Sequence, residues 1–397
     1  MGEFATRAVH VGQSHDPVTG AVVPPVTFAS TYVMDEVGVP RAGYDYSRSG
    51  NPTRSDYEAA LASLEEGERA LAFPSGLSAE DTVLRALTRA GDSVVYSQDV
   101  YGGTFRLFNV LLPAEGKHAV GLDATDSGEL RAAIFGNKPR VVWLETPSNP
   151  LLDVIDIAAT AELAHSVGAF LVVDNTFATP AQQLPLKLGA DVVVHSTTKS
   201  IGGHADLVGG AAVFAAGLEL GRAGVSETGA VPDEAYWWQN ATGAVPGPFD
   251  CWLGHRGLKT LQTRVRAAAG SALQIAAALT QLPQVAKVRY PGLAEHPGHE
   301  IATRQMSGFG QVVSFQVGDP DLAKAICEGT ELFALAVSLG AVESLIEYPA
   351  AMTHPQKADT SAAIPADLVR LSIGLEDTGD LIADLSQAIA RAVAKHG

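Results

Sequence analysis

The sequence predicts an α/β fold with a mostly parallel sheet, followed by a smaller α+β unit. Two observations predict the first part. Between about Arg69 and Ala216, short apolar, often β-branched runs recur: Ala70–Phe73, Ser93–Tyr96, Val141–Leu144, Phe170–Val173, Val192–His195 and Ala211–Phe214, with Ala119–Leu122 a weaker member. Helix-like stretches lie between them, among them Ala79–Thr88, Ile157–Val167 and Ala181–Leu188. Strands that alternate with helices form parallel βαβ units, buried on both faces of the sheet. A third observation predicts the second part. After a long helix-like stretch from Cys251 to Leu282, strand-like Gln311–Val317, Leu332–Val337 and Leu368–Ile373 precede a closing helix over Asp380–Val393.

The first 60 or so residues mix turn formers and aromatics without a clear period, as in Pro24-Pro25 and the run from Gly43 to Thr53. We read residues 1–60 as an extended arm, 61–255 as a large domain and 256–397 as a small C-terminal domain. An arm of this length needs a surface to lie on, and a second subunit offers one. The Gly-rich segment Ala215–Glu234 reads as a mobile loop.

Composition narrows the function. The 397 residues are 46% hydrophobic and 18% charged, a globular balance. The net charge of −17, with no Lys/Arg-rich run, argues against nucleic acid or a membrane surface as partner. Only Cys251 and Cys327 occur, far apart, which gives no disulfide framework and fits a reducing cytoplasm. Residues 1–11 lack the apolar core of a secretory signal, and runs such as Phe170–Val173 are far too short to span a bilayer. His195, His204, His255 and His354 show no HxxxH or HxH spacing, so no metal site is expected.

The chemistry gathers at strand ends. Phe170–Val173 runs into Asp174, and the next strand, ending at His195, runs into Ser196-Thr197-Thr198-Lys199. In open α/β sheets ligands sit outside the carboxyl ends of strands, so Asp174 and Lys199 can face one crevice. An acid and a lysine so placed are what pyridoxal 5′-phosphate (PLP) chemistry requires. The lysine binds the cofactor aldehyde, and the acid keeps the pyridine nitrogen protonated so that the ring accepts electrons. Each residue alone has a plainer reading: Asp174 caps the next helix, and Lys199 is a solvated loop lysine. Phe73-Pro74-Ser75-Gly76-Leu77-Ser78 joins a strand to a helix, where free N–H groups attract a phosphate, and Ser196 and Thr198 add hydroxyls. It is equally an ordinary strand-to-helix turn. Tyr101 can stack on a planar ring or belong to a core. Arg370, a charge inside the apolar run Leu368–Ile373, needs an anionic partner, either a substrate carboxylate or an internal acid.

Together these segments resemble the PLP enzymes of cysteine and methionine metabolism, the family of cystathionine γ-synthase and cystathionine γ-lyase. The resemblance runs from Tyr44–Thr53 to Arg370–Asp377 through motifs in family order. They include Tyr-Ser-Arg-Ser-Gly-Asn-Pro-Thr, Val-Tyr-Gly-Gly-Thr, Glu-Thr-Pro-Ser-Asn-Pro, Val-Val-Asp-Asn-Thr-Phe, Ser-Thr-Thr-Lys, Arg-Gly-Leu-Lys-Thr-Leu, Met-Thr-His and Arg-Leu-Ser-Ile-Gly-Leu-Glu. It implies a PLP-dependent fold-type-I subunit with a seven-stranded sheet, in a homotetramer of two catalytic dimers with shared active sites. By matching position it implies that Lys199 carries the cofactor, Asp174 pairs with the pyridinium nitrogen and Tyr101 stacks on the ring and assists proton transfer. The amides of Gly76 and Leu77, with Ser196 and Thr198, hold the phosphate, and Tyr46 and Arg48 reach it from the partner subunit. Arg370 binds the substrate α-carboxylate, helped by Asn149 and Ser338, and Glu343 lines the distal pocket.

The implied reaction is γ-elimination on L-cystathionine or a related γ-substituted amino acid, giving cysteine, 2-oxobutanoate and ammonia. The same cofactor arrangement serves γ-replacement, as in cystathionine γ-synthase or an O-acylhomoserine sulfhydrylase. A specialised relative with an altered substrate and a non-catalytic PLP-fold binding protein are the other readings. Departures from the family pattern fall at Ser200, Ala205, Ala341 and Pro355-Gln356, which puts the usual substrate in question. Gly103 stands where methionine γ-lyases carry a reactive cysteine, which argues against that activity. Asp45 is synthase-like, whereas Ser75-Gly76-Leu77 and Ala244-Val245-Pro246 are lyase-like.

Overall fold

The computed structural model describes residues 2–221, 229–357, 360 and 362–396. Part of the expected mobile loop, residues 222–228, lies outside the described residues.

The expected alternation produces a seven-stranded sheet: β1 (Arg69–Phe73), β2 (Ser93–Ser97), β3 (His118–Leu122), β4 (Val141–Glu145), β5 (Phe170–Asp174), β6 (Val192–Ser196) and β7 (Gly210–Phe214). Their order across the sheet is β1-β7-β6-β5-β4-β2-β3. The run from β3 to β6 is parallel, and β7 lies antiparallel between β1 and β6. All residues of β4, β5 and β7 are buried, which is why these segments read as continuous apolar runs. Successive residues feed opposite cores. Val94, Val141, Val172 and Val194 pack under helix α2 (Gly76–Leu87) on one face. Val95, Val142, Leu171 and Val173 pack under α3 (Ile157–Ser166) on the other. The helices begin where side chains accept their first free N–H groups, Ser75 from Ser78 and Asp156 from Ala159.

The C-terminal part forms a five-stranded sheet of β8 (Lys287–Arg289), β9 (Val312–Gln316), β10 (Ala334–Leu335), β11 (Leu345–Glu347) and β12 (Leu368–Ser372), in the order β8-β9-β12-β11-β10. Val313, Phe315, Val369 and Leu371 form its core with Leu381, Leu385 and Ile389 of the closing helix, Thr378–His396.

Several expectations are corrected. The stretch Cys251–Leu282 is two helices, Pro248–Leu258 and Leu261–Leu279, because Thr260 leaves helical geometry at φ −113°, ψ 4°. Ala181–Leu188 forms only a short 3-10 turn over Pro185–Leu188, since a proline there removes a helical N–H. Leu332–Val337 contributes only the two residues of β10. The arm is less irregular than its composition suggests: a helix, α1, runs over Pro52–Glu65, opened by Asn51 as cap and Pro52 in its first turn.

That helix delivers Glu65 to the middle of the molecule. Glu65 is 0% exposed and accepts from Asn175 Nδ2 at 3.0 Å, and its Oε1 lies 2.5 Å from His195 Nε2. Asn175 and His195 flank the carboxyl ends of β5 and β6, so the acid locks the two strand ends that matter below. Glu65→Ala leaves the His195 ring without a hydrogen bond in the interior and takes one of two acceptors from Asn175 Nδ2, which keeps the Gln183 carbonyl. It should lower unfolding stability by about 2–4 kcal/mol, read from urea titration. A loss under about 0.5 kcal/mol would show that the network is dispensable.

Candidate active site

At the carboxyl ends of β4, β5 and β6 a cleft of about 240 Å³, open to solvent, lies between the two sheets' layers. This is where a parallel sheet places its ligands. Asp174, Lys199, Tyr101, Asn149, Ser338 and Arg370 all line it, with Gly76, Leu77, Ser196 and Thr198.

Asp174 ends β5 and is 7% exposed. Burial raises its carboxyl above the ordinary value, against hydrogen bonding by Thr176, whose N–H donates at 2.9 Å, and the nearby His195. Lys199 follows β6. Burial first, then the Arg370 charge, lowers its amine to about 8, with Glu347 opposing. Its Nζ donates to Ser338 Oγ at 2.6 Å. Ser338 has φ +94°, a conformation that a non-glycine residue holds only under outside constraint. Part of that constraint is visible: the Ser338 carbonyl accepts from Arg370 Nη2 at 2.7 Å. Ser338 thus ties the lysine to the arginine.

Arg370, on β12, is 3% exposed. Its Nη1 donates to Asn149 Oδ1 at 2.8 Å, and Nη2 lies 2.8 Å from Glu347 Oε2. The internal acid is therefore present, and it comes from the residue opposite on β11. The guanidinium plane is fixed, and Arg370 Nε is left buried without a hydrogen bond.

The cradle forms at the start of α2. A Cβ on Gly76 would meet Ser196 Cβ at 2.9 Å, so only glycine lets the helix start approach the end of β6. Thr198 Oγ accepts from Gly209 N–H at 3.0 Å, which secures the turn that carries Lys199. Tyr101 stands at the mouth, 43% exposed, with its N–H donating to Glu145 Oε2 at 2.8 Å. A Cβ on Gly103 would come within 2.5 Å of the Tyr101 ring, so the absent side chain at that position is what lets Tyr101 sit where it does.

Three expected residues lie apart from this cleft in the subunit. Tyr46 is 48% exposed, and Arg48 donates to the Asn240 carbonyl at 2.7 Å instead. Glu343 is exposed and absent from the lining. Conversely, sequence reasoning missed Glu80, Glu145, Thr353 and Glu347. The first three line the cleft, and Glu347 pairs with Arg370. It also missed Lys357, fully buried beyond the Pro355 departure. Lys357 donates to the carbonyls of Gln98 and Val100 at 3.2 and 2.7 Å and so braces the Tyr101 loop from beneath. Ser200 is 1% exposed beneath Gly340, where an added Cβ would lie 2.5 Å from Ser200 N. His195, His204, His255 and His354 each have a protein partner: Glu65, Gly202, Val11 and Thr353.

Comparison with known proteins follows the same lines. The family model for Cys/Met metabolism PLP-dependent enzymes matches residues 5–390. The chain is 49% identical over 386 residues to a cystathionine gamma-synthase of Mycobacterium tuberculosis, covering 97% of this chain and 96% of that one. It is 46% identical over 395 residues to a cystathionine gamma-lyase of Dictyostelium discoideum, covering 98% and 97%. The crystal structure of cystathionine gamma synthase from Xanthomonas oryzae pv. oryzae, in complex with aminoacrylate and cysteine, superposes with a TM-score of 0.92 at 43% identity, over 99% of both chains. The chain belongs to the Cys/Met metabolism PLP-dependent enzymes.

Proposed function

We propose that this enzyme performs γ-elimination on L-cystathionine, or on a closely related γ-substituted amino acid, giving cysteine, 2-oxobutanoate and ammonia. The observation that carries the reading is the tether through Ser338, which places an amine of lowered pKa and a buried guanidinium on one residue. An amino-acid substrate needs those two groups together, one for its α-proton and one for its carboxylate.

The cleft fits PLP. The start of α2 offers backbone N–H groups beside the end of β6, an approach that a Cβ at Gly76 would block by meeting Ser196. Ser196 and Thr198 stand beside it, Asp174 waits at a strand end, and Lys199 lines the same space. We assign the phosphate to Gly76, Leu77, Ser196 and Thr198, the ring nitrogen to Asp174, the ring face to Tyr101 and the covalent attachment to Lys199. Bound there, the cofactor supplies an electron sink for negative charge developing beside the amino group.

The rest is the work of the chain's own side chains. Arg370 Nε, with Asn149, takes the α-carboxylate and sets the substrate's orientation. Lys199, with a pKa of about 8, is partly unprotonated near neutrality and can still return a proton, as an acid–base group must. It removes the α-proton, gives it up, and then takes a proton from the β-carbon; the electron pair left there expels the γ-substituent, whose sulfur takes up a proton. Glu347 balances the arginine's charge, so the cleft does not bind anions indiscriminately. Glu343 is proposed to meet the distal amino group beyond the cleft lining.

We further propose a homotetramer of catalytic dimers in which Tyr46 and Arg48 complete a neighbour's phosphate site. The arm supports this reading by leaving Phe28 70% and Val33 66% exposed, which suits cover by another subunit. A cytoplasmic location is proposed from Cys251 and Cys327, both free and buried. Among the described residues no helix is long and apolar enough to cross a membrane.

γ-Replacement is the second reading, favoured by the 49% identity to the mycobacterial synthase. L-Cystathionine alone, incubated with the PLP-loaded protein, decides between them. Rapid release of 2-oxobutanoate is expected. No release, with turnover of an O-acylhomoserine plus cysteine instead, would replace elimination by replacement.

A further inference from the structure

The cleft holds a carboxyl that the mechanism above does not use. Glu80 lies one turn into α2 and is 4% exposed. It lines the same cleft as Asp174 and Lys199. Its Oε2 is buried without a hydrogen-bond partner, and so is the nearby Thr104 Oγ. The other two carboxyls of the cleft are better provided for. Asp174 accepts the Thr176 N–H at 2.9 Å, and Glu145 accepts the Tyr101 N–H at 2.8 Å. A buried carboxyl oxygen without a hydrogen bond is costly to charge, so Glu80, like Glu145, resists ionisation on the protein's own atoms. Burial first, and the charge of Asp174 second, hold its carboxyl well above the ordinary range, with Thr104 pulling the other way.

Among the described residues no cation acts on Glu80 from the elements packed around it; Lys199, which follows β6 and lines the same cleft, has its Nζ engaged with Ser338 Oγ. β5 and β4 bring Asp174 and Glu145. β6 brings His195, whose Nε2 is engaged with Glu65. β1 brings Arg69 and Val231–Thr242 brings Asp233 and Glu234, but Arg69 pairs with Asp233 and Glu234 with Arg89. The short helix Gly102–Arg106 brings Arg106, which is exposed. On its own helix, Arg85 pairs with Asp81 and Glu115.

We infer that Glu80 is a second carboxyl for the nitrogen end of the cofactor ring, acting beside Asp174 to keep the ring proton in place. The inference rests on the assignment of Asp174 made above. A ring-nitrogen cation supplies the positive charge that this part of the cleft lacks. Beside it Glu80 ionises more readily, and its negative charge then opposes loss of the ring proton as the pH rises. Asp174 is the direct partner, and Glu80 is a positioning residue that sets the charge around it.

The test is spectroscopic. Wild type, Glu80→Gln and Glu80→Asp are loaded with PLP labelled with 15N at the ring nitrogen, and the 15N chemical shift of that nitrogen is titrated from acid to alkaline pH. Glu80→Gln should lower the midpoint by roughly one pH unit, and Glu80→Asp, which keeps a carboxyl, by clearly less. A Gln variant that titrates like wild type, or an Asp variant that shifts as far as the Gln one, overturns the inference. If Glu80→Gln does not fold, Glu80→Asp carries the test, and a shift of a full unit there is the contrary result. Asp174→Asn, run in parallel, should move the midpoint further than Glu80→Gln. If it moves nothing, the assignment of Asp174 fails and this inference with it. A large Asp174→Asn shift beside a silent Glu80→Gln overturns the inference alone.

Discussion

Lys199→Ala is expected to reduce turnover by at least about a thousandfold while the protein stays folded. The lysine has two proposed tasks, attachment of the cofactor and movement of the substrate proton, and no neighbour can take over either. The other lysine near the cleft, Lys357, lies beneath the Tyr101 loop, with its Nζ committed to backbone carbonyls. Folding should survive because Ser338 keeps its tie to Arg370 when the lysine is gone. Steady-state rates with L-cystathionine, beside far-UV circular dichroism, test this. A variant that keeps more than about a tenth of wild-type turnover would remove Lys199 from the chemistry.

The next largest effect is expected at Arg370. Arg370→Lys keeps the charge but not the planar fork that reaches Asn149, Ser338 and Glu347 together. It should lower kcat/KM about a hundredfold, mainly through KM, because carboxylate binding and not proton movement is lost. Arg370→Leu is a different experiment. It leaves Glu347, 1% exposed, as a buried charge without its partner, and should cost about 3–5 kcal/mol of stability. The double variant Arg370→Leu/Glu347→Leu should recover most of that stability and none of the KM. If the double variant regained substrate affinity, Arg370 would be a structural cation and not the carboxylate site.

These residues also show what the sequence made legible. Asp174 and Lys199 were readable because each follows a β-branched run, and parallel strands end on one side of a sheet. Gly76 was readable because a strand-to-helix turn that must approach a neighbour closely tolerates no Cβ. Glu347 was not, because its tie to Arg370 arises from antiparallel register between β11 and β12, and residues 23 positions apart carry no local signal of being opposite. Ser338 reaches Lys199 across 139 residues, and Lys357 reaches Val100 across 257, so both contacts exist only once the two sheets have been brought together. Glu80 has no signal of its own in the sequence, since periodicity shows which face of a helix is buried but not that a cleft lies under it. The helix breaks at Thr260 and Pro185 were missed for the opposite reason. There local backbone geometry overrode an apolar pattern that looked continuous.

The assignment of PLP to Lys199 is tested most directly by reducing the loaded protein with borohydride and mapping the modified peptide by mass spectrometry. The proposed assignment predicts one phosphopyridoxyl group, on Lys199. The same group on Lys357 or any other lysine, or a cofactor that washes away after reduction, would contradict it.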